Sequence, residues 1–533
     1  MSMSLLSYFM APKSASYTRA HDSDSRGPPD GIDVRTPLLS SRFPQYEDDA
    51  LAELKRKRAK HSWAWRHRRF LVTIFGMLAL SGAIAILAKR RLAVGAAGGD
   101  PEPAVESEEP APEAPHVSTA RLQVENLFSQ QSKTLSQARA RYSLKTHRQP
   151  PRNFDHWFHF ARENKCLIDE YDQIHRDFAP FYQLAKEDPV FFQKMIDRGS
   201  EMMLEDPKGM TTIKIQAGEV HMPEYQGTSY YYDWPRTLGR FAKYLPDMDF
   251  MLNGRDEPRV LFNHRELGSK DAAQEIKDTP PFEIAPHPTG DFFKNRPGCT
   301  IAKQSSGFAE SANDDVSFLI SSSSTDFTTD LYPLLSMTKI SPCFSDILFP
   351  GQYFYEESGW SGKFAYPDNV PWEEKKSQLY WRGMSNGGHI IGDNYRHFAR
   401  FKLIDLARDR SDVLDVKMTQ FAETHCTSEE ECARDAIIEE YGIHGPGDAR
   451  EAAFNYKYLL DVDGNTFSGR FLGLLRTGSL VFKSTVFNEY FNDWLKPYEH
   501  YIPVLPDLSD LLERIAWAEA HPEEARLIQE NGK

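Results

Sequence analysis

Polarity along the chain switches sharply once. Residues 1–69, rich in Ser, Pro, Asp and Arg, carry no sustained apolar period; Phe70–Ala88 (FLVTIFGMLALSGAIAILA) is then apolar throughout. At 1.5 Å per residue, these 19 residues just cross the hydrocarbon core of a bilayer. The long polar stretch ahead of the run, and the lack of a small-residue cleavage site behind it, argue against a secretory leader. Basic residues are denser before it (Lys55, Arg56, Lys57, Arg58, Lys60, Arg66, Arg68, Arg69) than after it (Lys89, Arg90, Arg91). The positive-inside rule then predicts a single-pass type II membrane protein, residues 1–69 forming a disordered cytosolic tail and the long C-terminal part lying in the lumen. So short a span suits the thin membranes of the Golgi or the endoplasmic reticulum.

Beyond the run, residues 98–116 (GGDPEPAVESEEPAPEAPH) form a Pro/Glu/Ala linker, extended and self-repelling. Residues 89–145 are expected as a stem, with helical periodicity over 117–145 carried by Leu122, Val124, Leu127 and Phe128. From 146 onward the texture changes, and short β-like runs alternate with helical segments. Strands are predicted at Phe250–Asn253, Arg259–Phe262, Gln378–Trp381, Lys457–Asp461 and Ser479–Phe482. Helices are predicted at Tyr395–Arg408, Ser468–Arg476 and Leu508–Ala518, the last capped by Asp507. This alternation implies βαβ units and an α/β fold with parallel sheets. The Ser-rich stretch 300–330 is expected as a loop or junction.

Charge and cysteine usage narrow the setting. A net charge of -14 excludes a nucleic-acid partner, whose phosphates demand a basic surface. All five cysteines (Cys166, Cys299, Cys343, Cys426, Cys432) follow the apolar run, in an oxidising compartment, and an odd count leaves one without an internal mate. Cys426 and Cys432 are close enough to staple one loop. No Asn-x-Ser/Thr glycosylation acceptor occurs.

Three segments hold residues suited to chemistry. In Asn253-Gly254-Arg255-Asp256-Glu257-Pro258 a strand runs into a turn that presents Asp256 at its carboxyl end, where open α/β sheets bind ligands. A carboxylate there can take a proton from a hydroxyl nucleophile. Nearby Asp247-Met248-Asp249 has the spacing of a metal motif but the setting of a solvated turn. In Tyr380-Trp381-Arg382-Gly383-Met384-Ser385-Asn386-Gly387-Gly388 a strand ends in a glycine-rich turn, and Arg396 and Arg400 follow on one face of a helix. The third segment, Asp461-Val462-Asp463-Gly464-Asn465-Thr466-Phe467-Ser468-Gly469-Arg470, reads as a strand, a tight turn and a helix opened by Ser468. A helix start offers free N–H groups to phosphate, and Arg470 adds a bidentate clamp. Asp461 and Asp463 fit either a divalent cation or ordinary turn chemistry.

In this order, the three segments resemble glycosyltransferase family 90, the capsule-associated and protein O-glucosyltransferase group. The likeness runs over 146–533 and is most specific in LYWRG, YKYLLDVDGNTFSGRF and GSLVFKS…WLKPYEHYIPVLPDLSDL; residues 150–181 look like the opening of its fungal branch. It implies a GT-B arrangement of two Rossmann-type lobes facing a cleft, acceptor-side over about 210–350 and donor-side over about 375–510. It also implies transfer from a UDP-sugar with inversion. The family's catalytic base, an Asp in a strand-end Arg-Asp pair, corresponds to Asp256. Its donor-site Arg corresponds to Arg400, with Arg396 second, and a further donor segment corresponds to Asn465–Arg470, including Ser468, Gly469 and Arg470. Arg382 and Ser385 complete the expected donor set, although the family usually places Ser directly after Arg-Gly and Met384 intervenes here. His500-Tyr501-Ile502-Pro503 matches a family motif and is expected to pack near the donor pocket. Family chains usually continue past Lys533, so a truncated C-terminus is expected.

The expected chemistry is transfer of a sugar, xylose first and glucose second, to a glycan, glycolipid or glycoprotein hydroxyl. Asp256 acts as base and the arginines stabilise departing diphosphate, so no cofactor is required, although a divalent cation at Asp461 and Asp463 stays open. The rival expectations are a membrane-tethered glycoside hydrolase, which needs paired carboxyl groups and no diphosphate site, and an inactive glycan-binding protein of the lumen.

Overall fold

The computed structural model describes residues 117–205, 210–222, 238–260, 331–340, 344–351, 370–388, 392–423 and 432–533, with the short strands Phe282–Ile284 and Asp326–Thr328 and a few isolated positions besides. The apolar run at 70–88, the tail before it and the linker at 98–116 lie outside the described residues. Among the described residues no helix is long and apolar enough to cross a membrane.

The folded unit begins before residue 146. The stretch expected as the end of the stem forms α1 (Val117–Ser129) and α2 (Leu135–Thr146), separated by a break. The break follows from local chemistry: Thr134 and Gln137 form a capping box that starts a new helix. Both helices are docked rather than extended. Ala138 is 1% exposed within the first core, and Asp169 accepts hydrogen bonds from the Ser132 N–H (2.5 Å) and hydroxyl (3.0 Å). Three further helices follow: α3 (Phe154–Glu163), α4 (Asp172–Glu187) and α5 (Pro189–Glu205).

The first sheet contains β1 (Met210–Gln216), β2 (Glu219–His221), β3 (Met248–Asn253), β6 (Leu334–Ser336) and β8 (Ile347–Leu348), in the order β2-β1-β3-β6-β8. It is mixed: β1 runs antiparallel to β2 and β3, whereas β3, β6 and β8 are parallel. The α4 helix is fastened to β8 through Asp177, whose carboxylate takes the Leu348 N–H at 2.9 Å and the Lys339 ammonium at 2.6 Å. Of residues 300–330, β5 (Asp326–Thr328) pairs antiparallel with β4 (Phe282–Ile284), and the remainder lies outside the described residues.

The second sheet is wholly parallel. It comprises β9 (Lys376–Met384), β10 (Leu414–Gln420), β11 (Tyr456–Val462), β12 (Leu480–Ser484) and β14 (Ile502–Val504), in the order β10-β9-β11-β12-β14. In chain order this is 2-1-3-4-5, a doubly wound pattern whose direction of winding reverses between β9 and β11. Both faces of the sheet are covered, and the central strands β11 and β12 are buried over nearly their whole length. One core holds α6 (Ala399–Arg408), α7 (Arg434–Tyr441), α9 (Leu511–Ala520) and α10 (Pro522–Gly532), while the opposite core holds α8 (Phe471–Leu475).

Three helices differ from expectation. The Tyr395–Arg408 segment divides into a 3-10 turn (Asn394–His397) and α6, because Phe398 is extended (φ -70, ψ 137) to bury its ring. The helix predicted from Ser468 begins only at Phe471, so residues 468–470 are a turn. The helix predicted from Leu508 begins at Leu511 after Asp510, while Asp507 instead accepts from the Ser509 N–H and hydroxyl. The Cys426–Cys432 disulfide forms, with Cα atoms 5.5 Å apart.

A two-stranded ribbon joins the lobes: β7 (Thr338–Lys339), just after β6, pairs antiparallel with β13 (Asn488–Glu489), which follows β12. Phe467 and Phe487, from loops of the second lobe, are buried in the core of the first.

Candidate active site

At the carboxyl end of β3, Asn253 organises the turn that carries Asp256. Its Nδ2 donates to the Glu257 carbonyl (2.6 Å) and the Ser336 hydroxyl (3.1 Å), and its Oδ1 accepts from the Arg255 N–H (3.0 Å). Downstream, the buried Asp346 carboxylate takes the N–H groups of Arg259 (2.9 Å) and Val260 (2.8 Å). Burial pushes the Asp346 carboxyl up from the usual range, against hydrogen bonds that pull it down. Asp256 is therefore held on a pinned turn and stays partly exposed. Of the predicted strand at Arg259–Phe262, Val260 forms a single bridge and 261–262 lie outside the described residues. The Asp247 carboxylate accepts from the Ala217 N–H at 2.8 Å, which makes it a turn residue.

At the second sheet, a small pocket opens at the carboxyl ends of β9, β11 and β12, at the point where the winding reverses. Asn386, Gly387, Arg400, Asp463, Gly464 and Asn465 line it. Gly387 (φ 143) needs the freedom of a residue without a side chain, and its N–H donates to Asn465 Oδ1 at 3.2 Å. The Arg400 guanidinium is buried, its Nε donating to the Asp463 carbonyl and its Nη1 to the Met384 carbonyl, both at 2.9 Å. It lies over the Trp381 indole at 5.4 Å, and the Arg470 guanidinium lies over the same ring at 6.0 Å. Burial, then repulsion from Arg470, lowers the Arg400 pKa to about 9. Arg470 donates from Nη1 to the Arg382 carbonyl at 2.8 Å, while its Nη2 is buried with no hydrogen-bond partner. Asn386 Oδ1 and Asp463 Oδ1 are likewise enclosed and unmatched.

Other predicted donor residues are engaged elsewhere. Arg382 is held by Asp415 (2.7 Å) and Asp448 (2.6 Å), with further bonds to the Trp381 and Asp415 carbonyls, and so acts as a strut between β9 and β10. Arg396 forks onto Glu440 at the surface, at 2.6 and 2.9 Å. The Ser385 hydroxyl accepts from the Ala422 N–H at 2.9 Å and is buried. Ser468 is buried in the turn before α8, with Gly469 next to it, and α8 is too short to supply a helix-start site for phosphate. His500 Nδ1 accepts from the Lys496 N–H at 2.9 Å, a packing role.

Beneath the pocket lies a cluster that the sequence did not announce. Lys483 Nζ contacts Asp461 Oδ2 at 2.9 Å and Glu489 Oε2 at 3.6 Å, and all three side chains are buried. The cation that Asp461 holds is thus an ammonium, and no group of three metal-binding side chains occurs among the described residues. Asp463 Oδ2 accepts from the Val486 N–H at 2.9 Å. Burial raises Asp463 to about 7 and Glu489 to about 8. Glu489 lies in β13, in the unquoted gap between GSLVFKS and WLKPYEHYIP, so no motif residue pointed to it.

A parallel doubly wound sheet with paired cations at its switch point suits a nucleotide-linked substrate. Residues 362–533 match the model of "Glycosyl transferase family 90". This part of the chain is similar to glycosyltransferase family 90. The segment contains every donor-side candidate, whereas Asp256 lies outside the matched residues. Protein O-glucosyltransferase 2 of Danio rerio is 34% identical over 161 residues, 30% of this chain and 28% of that protein. Protein O-glucosyltransferase 1 of Homo sapiens is 28% identical over 221 residues, 38% of this chain and 50% of that protein. The chain therefore spans between about a quarter and a half of the length of these curated relatives.

Proposed function

We propose that the chain is an inverting, UDP-sugar-dependent glycosyltransferase with Asp256 as general base and with Arg400 and Arg470 facing the diphosphate. The observation that carries this reading is the pair of guanidiniums around Trp381, one of them with an unmatched buried N–H. Two like charges removed from water repel each other and lack solvation, and an incoming anion relieves both costs. Arg side chains suit this task, since their forked donors match phosphate oxygens. Asp461 is already neutralised by Lys483, which supports arginine rather than a divalent cation as the positive partner of the diphosphate.

In the proposed step, the acceptor hydroxyl gives its proton to Asp256 as its oxygen bonds to the anomeric carbon. The bond from that carbon to the diphosphate oxygen breaks on the opposite face, and UDP leaves with the electron pair. Arg400 and Arg470 meet the charge that develops on the leaving group, which is where fixed positive groups lower a barrier most. The fungal-branch resemblance favours xylose, delivered to a glycan or glycolipid. The names of the relatives favour a second reading, glucose delivered to a protein hydroxyl. The 70–88 run and the basic residues before it support an enzyme anchored in a Golgi or endoplasmic reticulum membrane with its site in the lumen.

The test is UDP release from a panel of UDP-sugars by the full chain in detergent, with and without chelator. One donor is expected to be consumed, UDP-xylose first and UDP-glucose second, and Asp256→Asn is expected to slow turnover about 10²–10⁴-fold with UDP affinity unchanged. Release from no donor, or full turnover in Asp256→Asn, contradicts the proposal.

A further inference from the structure

The small pocket beside Arg400 holds two groups that play no part in the step above. Asn386 and Asp463 both line it, and each has an enclosed side-chain oxygen, Oδ1, with no hydrogen-bond partner. Such an atom costs free energy until something donates to it. The chain is built to bring these groups together. A Cβ on Gly464 would meet Arg400 Nη2 at 2.9 Å and Asn386 Cβ at 3.7 Å, so a residue without a side chain is what lets them come so near. Asp463 is fixed at two points: its carbonyl accepts from Arg400 Nε and its Oδ2 from the Val486 N–H, both at 2.9 Å, which leaves Oδ1 unmatched.

An acceptor oxygen does not suit a diphosphate, whose outer oxygens are themselves acceptors. It suits a hydroxyl. Size points the same way: the pocket offers about 30 Å³, space for one or two groups as large as water and far too little for a sugar ring. Burial holds the Asp463 carboxyl up at about 7, which blunts its repulsion of a nearby diphosphate. Position separates the two hydroxyl-bearing ends of a nucleotide-linked sugar. Val486 and Phe487 wall the pocket on one side, and Phe487 is buried in the core of the first lobe, which carries Asp256. A transferred sugar must lie on that side, between the diphosphate and the base. On the far side of β9, the end of β10 borders an open hollow of about 390 Å³, roomy enough for the nucleoside.

We propose that Asn386 and Asp463 bind a hydroxyl of the transferred sugar, with that hydroxyl alone entering the pocket and the ring staying at its mouth. The inference rests on the UDP-sugar reading and adds to it the residues that choose the sugar. A donor without a hydroxyl at that position leaves both oxygens unmatched and is disfavoured for that reason.

The experiment is calorimetric titration of the full chain in detergent with UDP, UDP-xylose and UDP-glucose, for wild type, Asn386→Ala and Asp463→Ala. Both truncations keep the main-chain bond from Asp463 to Arg400. Each is expected to weaken binding of the preferred sugar nucleotide about tenfold, the effect of one good hydrogen bond, and to leave UDP affinity unchanged. Asp463→Ala also strips the Val486 N–H of its partner; if melting temperature shows that it unfolds, Asn386→Ala carries the test. Equal losses for UDP and the sugar nucleotide would move the contact to the ribose, and no loss for either would mean that the two oxygens hold only water. Either result, or a wild type that binds UDP but neither sugar nucleotide, overturns the inference and leaves the arginine assignment intact. A wild type that binds no UDP contradicts the donor reading itself, and this inference with it.

Discussion

Single residues settle what their spacing could not. Arg382, Arg396, Arg400 and Arg470 all lie in motif-bearing segments, yet the first two are engaged by carboxylates and the latter two meet at Trp381. The difference lies in long-range partners, Asp415, Asp448 and Glu440, which no local window contains. Asp461 and Asp463 show the same limit: their spacing fits a cation, and the cation supplied to Asp461 is Lys483. Glu489 gives this cluster a measurable signature. Its carboxyl is raised by burial from 4.5 to about 8, so the folded state keeps a proton that the unfolded chain sheds. Stability therefore falls as pH climbs from about 4.5 to 8, and stays low above. Replacing the group by the neutral amide in Glu489→Gln should raise the melting temperature relative to wild type at pH 8, with the difference shrinking toward pH 5. An equal difference at both pH values would show that Glu489 does not titrate in this window.

At the scale of elements, the strands of the second sheet were the most legible. Each has a buried apolar centre (Leu379–Trp381, Tyr458–Leu460, Leu480–Phe482), and all three predicted there are present. Helix starts were legible least. Ser468 has the chemistry of a cap, but tertiary packing of the 463–470 loop against the first lobe holds it in a turn. The stem at 117–145 carried the right helical period and the wrong assignment, because periodicity does not say against what a face packs. The end of β9 offers a sharp test of the site's construction. A Cβ on Gly383 would meet the Trp381 ring at 2.5 Å, and a rigid indole that is 1% exposed cannot yield cheaply. Gly383→Ala should cost about 1–3 kcal/mol in thermal or denaturant unfolding. It should also weaken UDP binding, by displacing the ring on which both arginines lie. Unchanged stability would mean that the strand end has room that the structure does not show.

Across the whole molecule, two sheets with separate cores are fastened by the β7–β13 ribbon, by Phe467 and Phe487 in the first core, and by α4. The α4 contacts to the second lobe include Arg176 with Asp493 at 2.7 Å, and just before the helix the Glu170 carbonyl accepts from Trp494 Nε1 at 2.6 Å. This organisation sets Asp256 at the end of one sheet and the arginine pair at the end of the other. The overall α/β class was readable from alternating periodicities, whereas the mixed first sheet was not, since strand direction depends on pairing partners distant in sequence. On a chain of net charge -14, the proposed nucleotide binding needs concentrated local cations, the role proposed for Arg400 and Arg470. Calorimetric titration of the full chain with UDP tests this assignment most directly. Wild type and the surface variant Arg396→Ala should bind alike, and Arg470→Ala at least about tenfold more weakly, as expected for loss of a charge-assisted contact. Absence of UDP binding in the wild type, or undiminished affinity in Arg470→Ala, would contradict the account.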